Sequence, residues 1–163
     1  DHFLHELARV GVMQVVGGVR DPSRRFGSLR VTLAATLPNT IVMTGSLEEE
    51  LRTQFGLMTF QSPEKVTEVI HYLTDVNIWE HLAIVLGESR DDLRAHLKVV
   101  VDRRNKIAHE ADLNPSFPGL RWPISAVEAE DASTFLATLG DEIFNLLSPP
   151  TAHGALSAVN DSL

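Results

Sequence analysis

Cysteine is absent from the chain, which excludes a disulfide scaffold, a thiolate nucleophile and any metal site with cysteine ligands. A reducing, cytoplasmic setting fits. Aromatic residues are scarce at 6%, and no train of alternating strand-like segments runs through the sequence. Leucine, alanine, valine and glutamate are plentiful, so the expectation leans to helix. No apolar run approaches the roughly 18 to 20 residues of a membrane span, so no membrane partner is expected. Nor is there a basic start followed by an apolar stretch of the secretory kind. "GVMQVVGG" has neither the Lys-Ser/Thr of a P-loop nor the spacing of a dinucleotide fingerprint. "HEADL", from His109, lacks the second histidine of a zincin.

What remains is an ordinary globular composition of 163 residues, 44% apolar and 22% charged, enough for a single domain with a real core. The expected division is a domain over 1–148 and a C-terminal tail over 149–163, frayed or borrowed by a neighbour. The chain opens at Asp1 inside a helical pattern, as a domain excised from a longer polypeptide does. Its net charge of -8 opposes nucleic-acid binding at first sight. The distribution softens that. From Arg90 to His109 six basic residues face Asp91, Asp92 and Asp102, and from Arg20 to Arg30 four arginines face Asp21, giving two basic islands on an acidic body. Solvated helix faces would produce the same count.

Helical spacing appears first at Phe3, Leu7, Val10 and Met13, ending at Gly17-Gly18. The stretch that follows is open: Pro22 suits a helix start, while Leu29, Val31 and Leu33 alternate like a strand. A second helix starts near Pro38, carries Ile41, Val42, Leu47 and Leu51, and closes at Gly56. Ser62 and Pro63 open a third, with Val66, Val69, Ile70 and Leu73 on one side. "DVNIWEHLAIVLG" is a short core segment with Trp79, Leu82 and Leu86, ending at Gly87. The next helix starts at Ser89, has Asp91 and Asp92 in its first turn, and continues through Leu93, Leu97 and Val100 or Val101. A loop with three prolines follows, and then a capping box, Ser125 and Glu128, opens a last helix through Val127, Phe135, Leu139, Ile143 and Leu146. Together these predict an all-α bundle of four to five principal helices.

Near the end of the longest charged helix stands "RRNKIAHE". Arg104 and His109, five residues apart, are rotated by about 140° and separated by about 7.5 Å on a regular helix. They meet only if the helix distorts or ends at the histidine, or if a second copy brings its own pair alongside. Asn105 and His109, at i and i+4, share a face, so the amide can orient the imidazole. The plainest structural account is that arginine, lysine and histidine here complement the negative end of the helix dipole and cap free carbonyls.

The segment resembles the Arg, four to six residues, His signature of HEPN domains, with Asn after the Arg as in the commoner ribonuclease form. The likeness extends to "FQSPEKVTEVI" and "DVNIWEHLAIVLG" upstream and "WPISAVEAEDASTFLATL" downstream, as in the RiboL-PSP-HEPN group, covering Phe60 to Leu147 well and the first 59 residues loosely. It implies a HEPN-like bundle that dimerises with the two motifs facing, and a metal-independent endoribonuclease with no cofactor. Arg104 and His109 match the catalytic positions. Asn105, with Arg103 and Lys106 beside it, is assigned to binding and orienting RNA. Histidine accepts or donates a proton near neutrality, and the arginine fork suits phosphate oxygens. The expected products are a 2′,3′-cyclic phosphate and a 5′-OH. A toxin or defence role, with an antitoxin or regulatory partner, belongs to the same expectation. The alternative is a catalytically idle dimerisation, nucleotide-binding or signalling module, which the net charge favours.

Other candidates are weaker. His2 with His5, or His71 with His81, are more simply surface or core-edge histidines than metal ligands. Glu48 to Glu50 are a solvated helix face. Trp79 belongs to the core, and Trp122, on the loop after the motif, is the better contact for substrate or a second copy.

Overall fold

The computed structural model describes residues 1–31, 40–109, 113, 114, 116, 117, 119–123 and 125–148, with backbone alone over 40–46. Among them are six α-helices: α1 (His2–Val16), α2 (Thr40–Gly56), α3 (Pro63–His71), α4 (Ile78–Leu86), α5 (Arg90–His109) and α6 (Ala126–Leu147). No strand occurs among the described residues; Leu113 and Arg121 form an isolated antiparallel bridge. The chain is all-α, as its composition predicts. No helix among the described residues is long and apolar enough to cross a membrane.

Local signals set most boundaries. The Ser62 hydroxyl accepts the Lys65 N–H at 3.2 Å and Pro63 follows, where a missing N–H costs nothing. Asn77 caps α4 by accepting from Trp79 N–H at 3.2 Å, and Gly87 ends it in the left-handed conformation, φ 69°. The Ser89 hydroxyl accepts Asp92 N–H at 3.1 Å and donates to its carboxylate at 2.7 Å. At α6 the predicted capping box is complete: the Ser125 hydroxyl accepts Glu128 N–H at 3.0 Å, and Ser125 N–H donates to the Glu128 carboxylate at 3.1 Å. The stretch left open after Gly18 contains a 3-10 turn over Phe26–Ser28 and no strand as far as Val31. Leu33, Pro38 and the tail over 149–163 lie outside the described residues, as do the side chains of Ile41 and Val42.

The core gathers Leu4, Ala8 and Val12 of α1, Leu51 and Phe55 of α2, Val66, Val69 and Ile70 of α3, Ile78, Trp79 and Leu82 of α4, Leu93 and Leu97 of α5, and Leu139, Ile143 and Leu147 of α6. Full burial of each large side chain contributes roughly 1.5–3 kcal/mol. Trp79 is 1% exposed, and its indole N–H donates to Thr67 Oγ1 at 2.8 Å, so the polar end of the ring is satisfied inside the core.

On α1 the buried side differs from the expected Phe3–Leu7–Val10 spacing: Phe3 and Val10 are exposed. The cause is close approach to the end of α3. A Cβ on Gly11 would sit 2.6 Å from a methyl of buried Leu73, so α1 turns its small residues, Ala8 and Gly11, inward. Val127 of α6, also expected on an apolar stripe, stands 66% exposed.

Candidate functional site

Two helices leave the bundle together. Along α5 the buried residues are Leu93 and Leu97, both in its first half; along α6 they are Leu139, Ile143 and Leu147, all in its second half. The end of α5, the loop and the start of α6 therefore form an arm beyond the core. The loop is organised by its own bonds. Asn114 is buried, its N–H donates to Leu120 O at 2.8 Å, and its side-chain oxygen accepts Ser116 N–H at 2.9 Å. Gly119, at φ 87°, makes the turn.

Arg103 ties this loop to α5, its guanidinium donating to Pro123 O at 3.1 Å. The same loop carries Trp122, partly exposed.

Because α5 stays helical through His109, its residues follow a 100° step. Leu93, Leu97 and the half-buried Val100 make the core side. Arg104, seven residues past Leu97, extends that side beyond the core and lines an open groove between α5 and α6. Asn105 and His109 lie on another side, with Lys98 two turns before Asn105. Arg104 and His109 thus face directions about 140° apart, and one protomer does not bring them together. The described part of the helix runs to His109, and that residue is still in register.

Asn105 does not hold the imidazole as its i, i+4 spacing suggested. Its side-chain oxygen accepts from Arg104 Nη1 at 3.0 Å, so it steadies the arginine instead. His109 and Lys106 are exposed, with no hydrogen bond or ion pair among the described residues.

The two basic islands separate on inspection. Arg20 caps the far end of α6 by donating to Leu147 O, and its burial lowers its pKa; Arg24 pairs with Asp75 at 3.2 Å. On α5, Arg90 pairs with Glu80 at 3.7 Å and Arg94 with Glu64 at 2.8 Å. Lys98, Arg104 and Lys106 have no acidic partner among the described residues, although Asp102 stands on the same helix and Glu128, Glu130 and Asp131 on the start of α6. Glu48, expected on a solvated face, instead accepts from Arg9, whose pKa Glu6 and Glu48 together raise.

The groove itself was not predicted. It measures about 540 Å³ and lies between α5, α6 and the start of α1, lined by Phe3, Leu97, Val100, Arg104, Leu136 and Asp141 among others. The heptad step from Leu97 to Arg104 is the signal that points to it in the sequence. Among the described residues no group of three His, Asp or Glu is arranged to hold a metal ion; His5 Nε2 lies 3.0 Å from Met58 O with its ring edge-on to Phe60. In comparisons with known proteins the chain matches no family model, no curated protein and no solved structure.

Proposed function

We propose that the chain is a HEPN-type, metal-independent endoribonuclease that works as a homodimer, with Arg104 and His109 at its site and Asn105, Arg103 and Lys106 in support. The observation that carries this reading is the arm. It holds the whole motif and exposes Ile107, Leu113, Phe117, Leu120, Trp122 and Val127, an apolar load out of proportion to its length. Such a concentration is the mark of a surface that a partner covers. A second copy is the occupant that also answers the geometry, since a twofold contact brings the Arg104 of one chain toward the His109 of the other.

In that cleft the RNA 2′-OH attacks its own 3′ phosphate. One histidine accepts the 2′ proton, the other donates to the departing 5′ oxygen, and the guanidinium forks stabilise the phosphorane. Cleavage leaves a 2′,3′-cyclic phosphate and a 5′-OH. Unchecked, this activity is toxic, and it suits a toxin or defence effector restrained by an antitoxin-like partner in the cytoplasm.

The net charge of -8 favours the second reading, a catalytically idle dimerisation, nucleotide-binding or signalling module. The test incubates wild type, Arg104→Ala and His109→Ala with structured and unstructured RNA in EDTA, with circular dichroism as the check on folding. Loss of cleavage in both variants supports the nuclease. Cleavage surviving both, or absent from wild type on every RNA, leaves the idle module. Sedimentation of Val127→Asp, expected to shift dimer to monomer, tests the arm as the interface.

A further inference from the structure

We infer that the groove between α5 and α6 receives one unstacked guanine base of the RNA, stacked on Phe3, held at its Watson–Crick edge by Asp141, with its phosphate toward Arg104. This rests on the nuclease reading for the polymer and adds a base preference to it.

At about 540 Å³ the groove lies in the roughly 300–1,000 Å³ range of small-molecule pockets. Its floor is apolar, formed by Leu4, Leu97, Leu139 and Ile143, all buried. Phe3 is 44% exposed at the wall, where a Cβ built on Gly140 would lie 3.9 Å from its ring, and Asp141 lines the same groove. An exposed aromatic face over an apolar floor is a stacking platform for a base splayed out of single-stranded RNA. At the α5 wall, Arg104 supplies the permanent charge for a phosphate.

The two carboxylates that line the groove are not equivalent. Asp1 is committed, accepting Phe60 N–H at 2.8 Å and the Gln61 amide at 3.2 Å. Asp141 is exposed and has no hydrogen bond or ion pair among the described residues. A carboxylate only accepts hydrogen bonds. Guanine alone presents two adjacent donors, N1–H and the 2-amino group, on its Watson–Crick edge. Adenine and cytosine set an acceptor next to their amino group, and uracil sets its one N–H between two carbonyls. Asp141 therefore gains two parallel bonds from guanine and opposes an acceptor on each of the others.

The test titrates 5′-GMP, AMP, CMP, UMP and inorganic phosphate into the full chain by calorimetry. GMP is expected to bind about tenfold more tightly than AMP, the discrimination typical of a bidentate base contact. Asp141→Asn should bring GMP to within about threefold of AMP. Leu136→Trp, which fills the groove from an exposed position, should abolish nucleotide binding with the circular dichroism spectrum unchanged; if that variant unfolds, Asp141→Asn decides alone. Equal affinities for GMP and AMP, phosphate binding as tightly as GMP, or a guanine preference that survives Asp141→Asn each overturns the assignment. GMP preference without cleavage of any RNA defeats the nuclease and keeps the groove, whereas cleavage alongside equal mononucleotide affinities defeats the groove alone.

Discussion

Around α3 and α4, Ile78, Trp79 and Leu82 have almost no contact with water; on the arm, Phe117, Leu120 and Val127 keep more than half of their surface. Both regions are helical, capped and rich in apolar side chains. They differ in what lies opposite. The base has α1, α5 and α6 to close over its apolar faces, while the end of α5 and the start of α6 bury no side chain, with His96 stacked on Phe135, ring centroids 3.9 Å apart, as a link between the two helices. An apolar residue is thus a stabilising element in one region and an uncovered surface in the other, and the residues proposed for catalysis sit in the second. That division is expected of a protein whose site is completed by a partner, because burial within one chain would leave nothing for the partner to cover.

Substitutions that unfold the base while sparing the arm, or silence the arm while sparing the base, sharpen this contrast. Trp79→Ala should have the largest effect, a loss of about 3–5 kcal/mol from the cavity it opens, read as a fall in the urea midpoint. Arg104→Ala should leave stability within about 0.5 kcal/mol of wild type while lowering RNA cleavage by about 100- to 1,000-fold, in initial rates. A large drop in melting temperature from Arg104→Ala would make that residue structural and dissolve the contrast. Gly11→Ala should cost about 1–2 kcal/mol, because the added methyl would sit 2.6 Å from a methyl of buried Leu73 and force that side chain to shift, even after the gain in helix propensity. Ser125→Ala, which removes the cap where α6 leaves the loop, should cost about 1 kcal/mol by the same denaturant measurement.

The smallest effect concerns pH. The Glu128 carboxyl is held below its usual pKa by the Ser125 N–H, then by the Ser125 hydroxyl and by Arg103. A depressed carboxylate pKa contributes stability that is fully present above its unfolded value, about 4.3, and is lost as pH falls through the folded value. Glu128→Gln should therefore melt slightly lower than wild type at pH 7, with the gap closing in acid. A constant gap across that range would mean that the charge of Glu128 is irrelevant to the cap.

The caps and helix ends were legible because each depends on residues within one turn: Ser62-Pro63, the Ser125–Glu128 box and the stop at Gly87 all stand where their spacing predicts. The core status of Trp79 was legible from its apolar neighbours. The inward side of α1 was not, since it is set by Gly11 meeting Leu73, sixty-two positions away. In the same way Asn105 has two local partners in reach, and only the side-chain geometry shows it bonded to Arg104 rather than to His109.

By itself the sequence determined that the chain is helical, where α3, α4, α5 and α6 begin, that Trp79, Leu82, Leu93, Leu97, Leu139 and Ile143 belong to the core, and that arginine, asparagine and histidine stand at the end of α5. These follow from bonds and periodicities spanning three or four residues. Only the tertiary structure decided that a groove lies between α5, α6 and the start of α1, and that Arg104, Phe3 and Asp141 line it. Such relations join residues far apart in the chain, and the close packing of whole helices, which no local pattern encodes, fixes them.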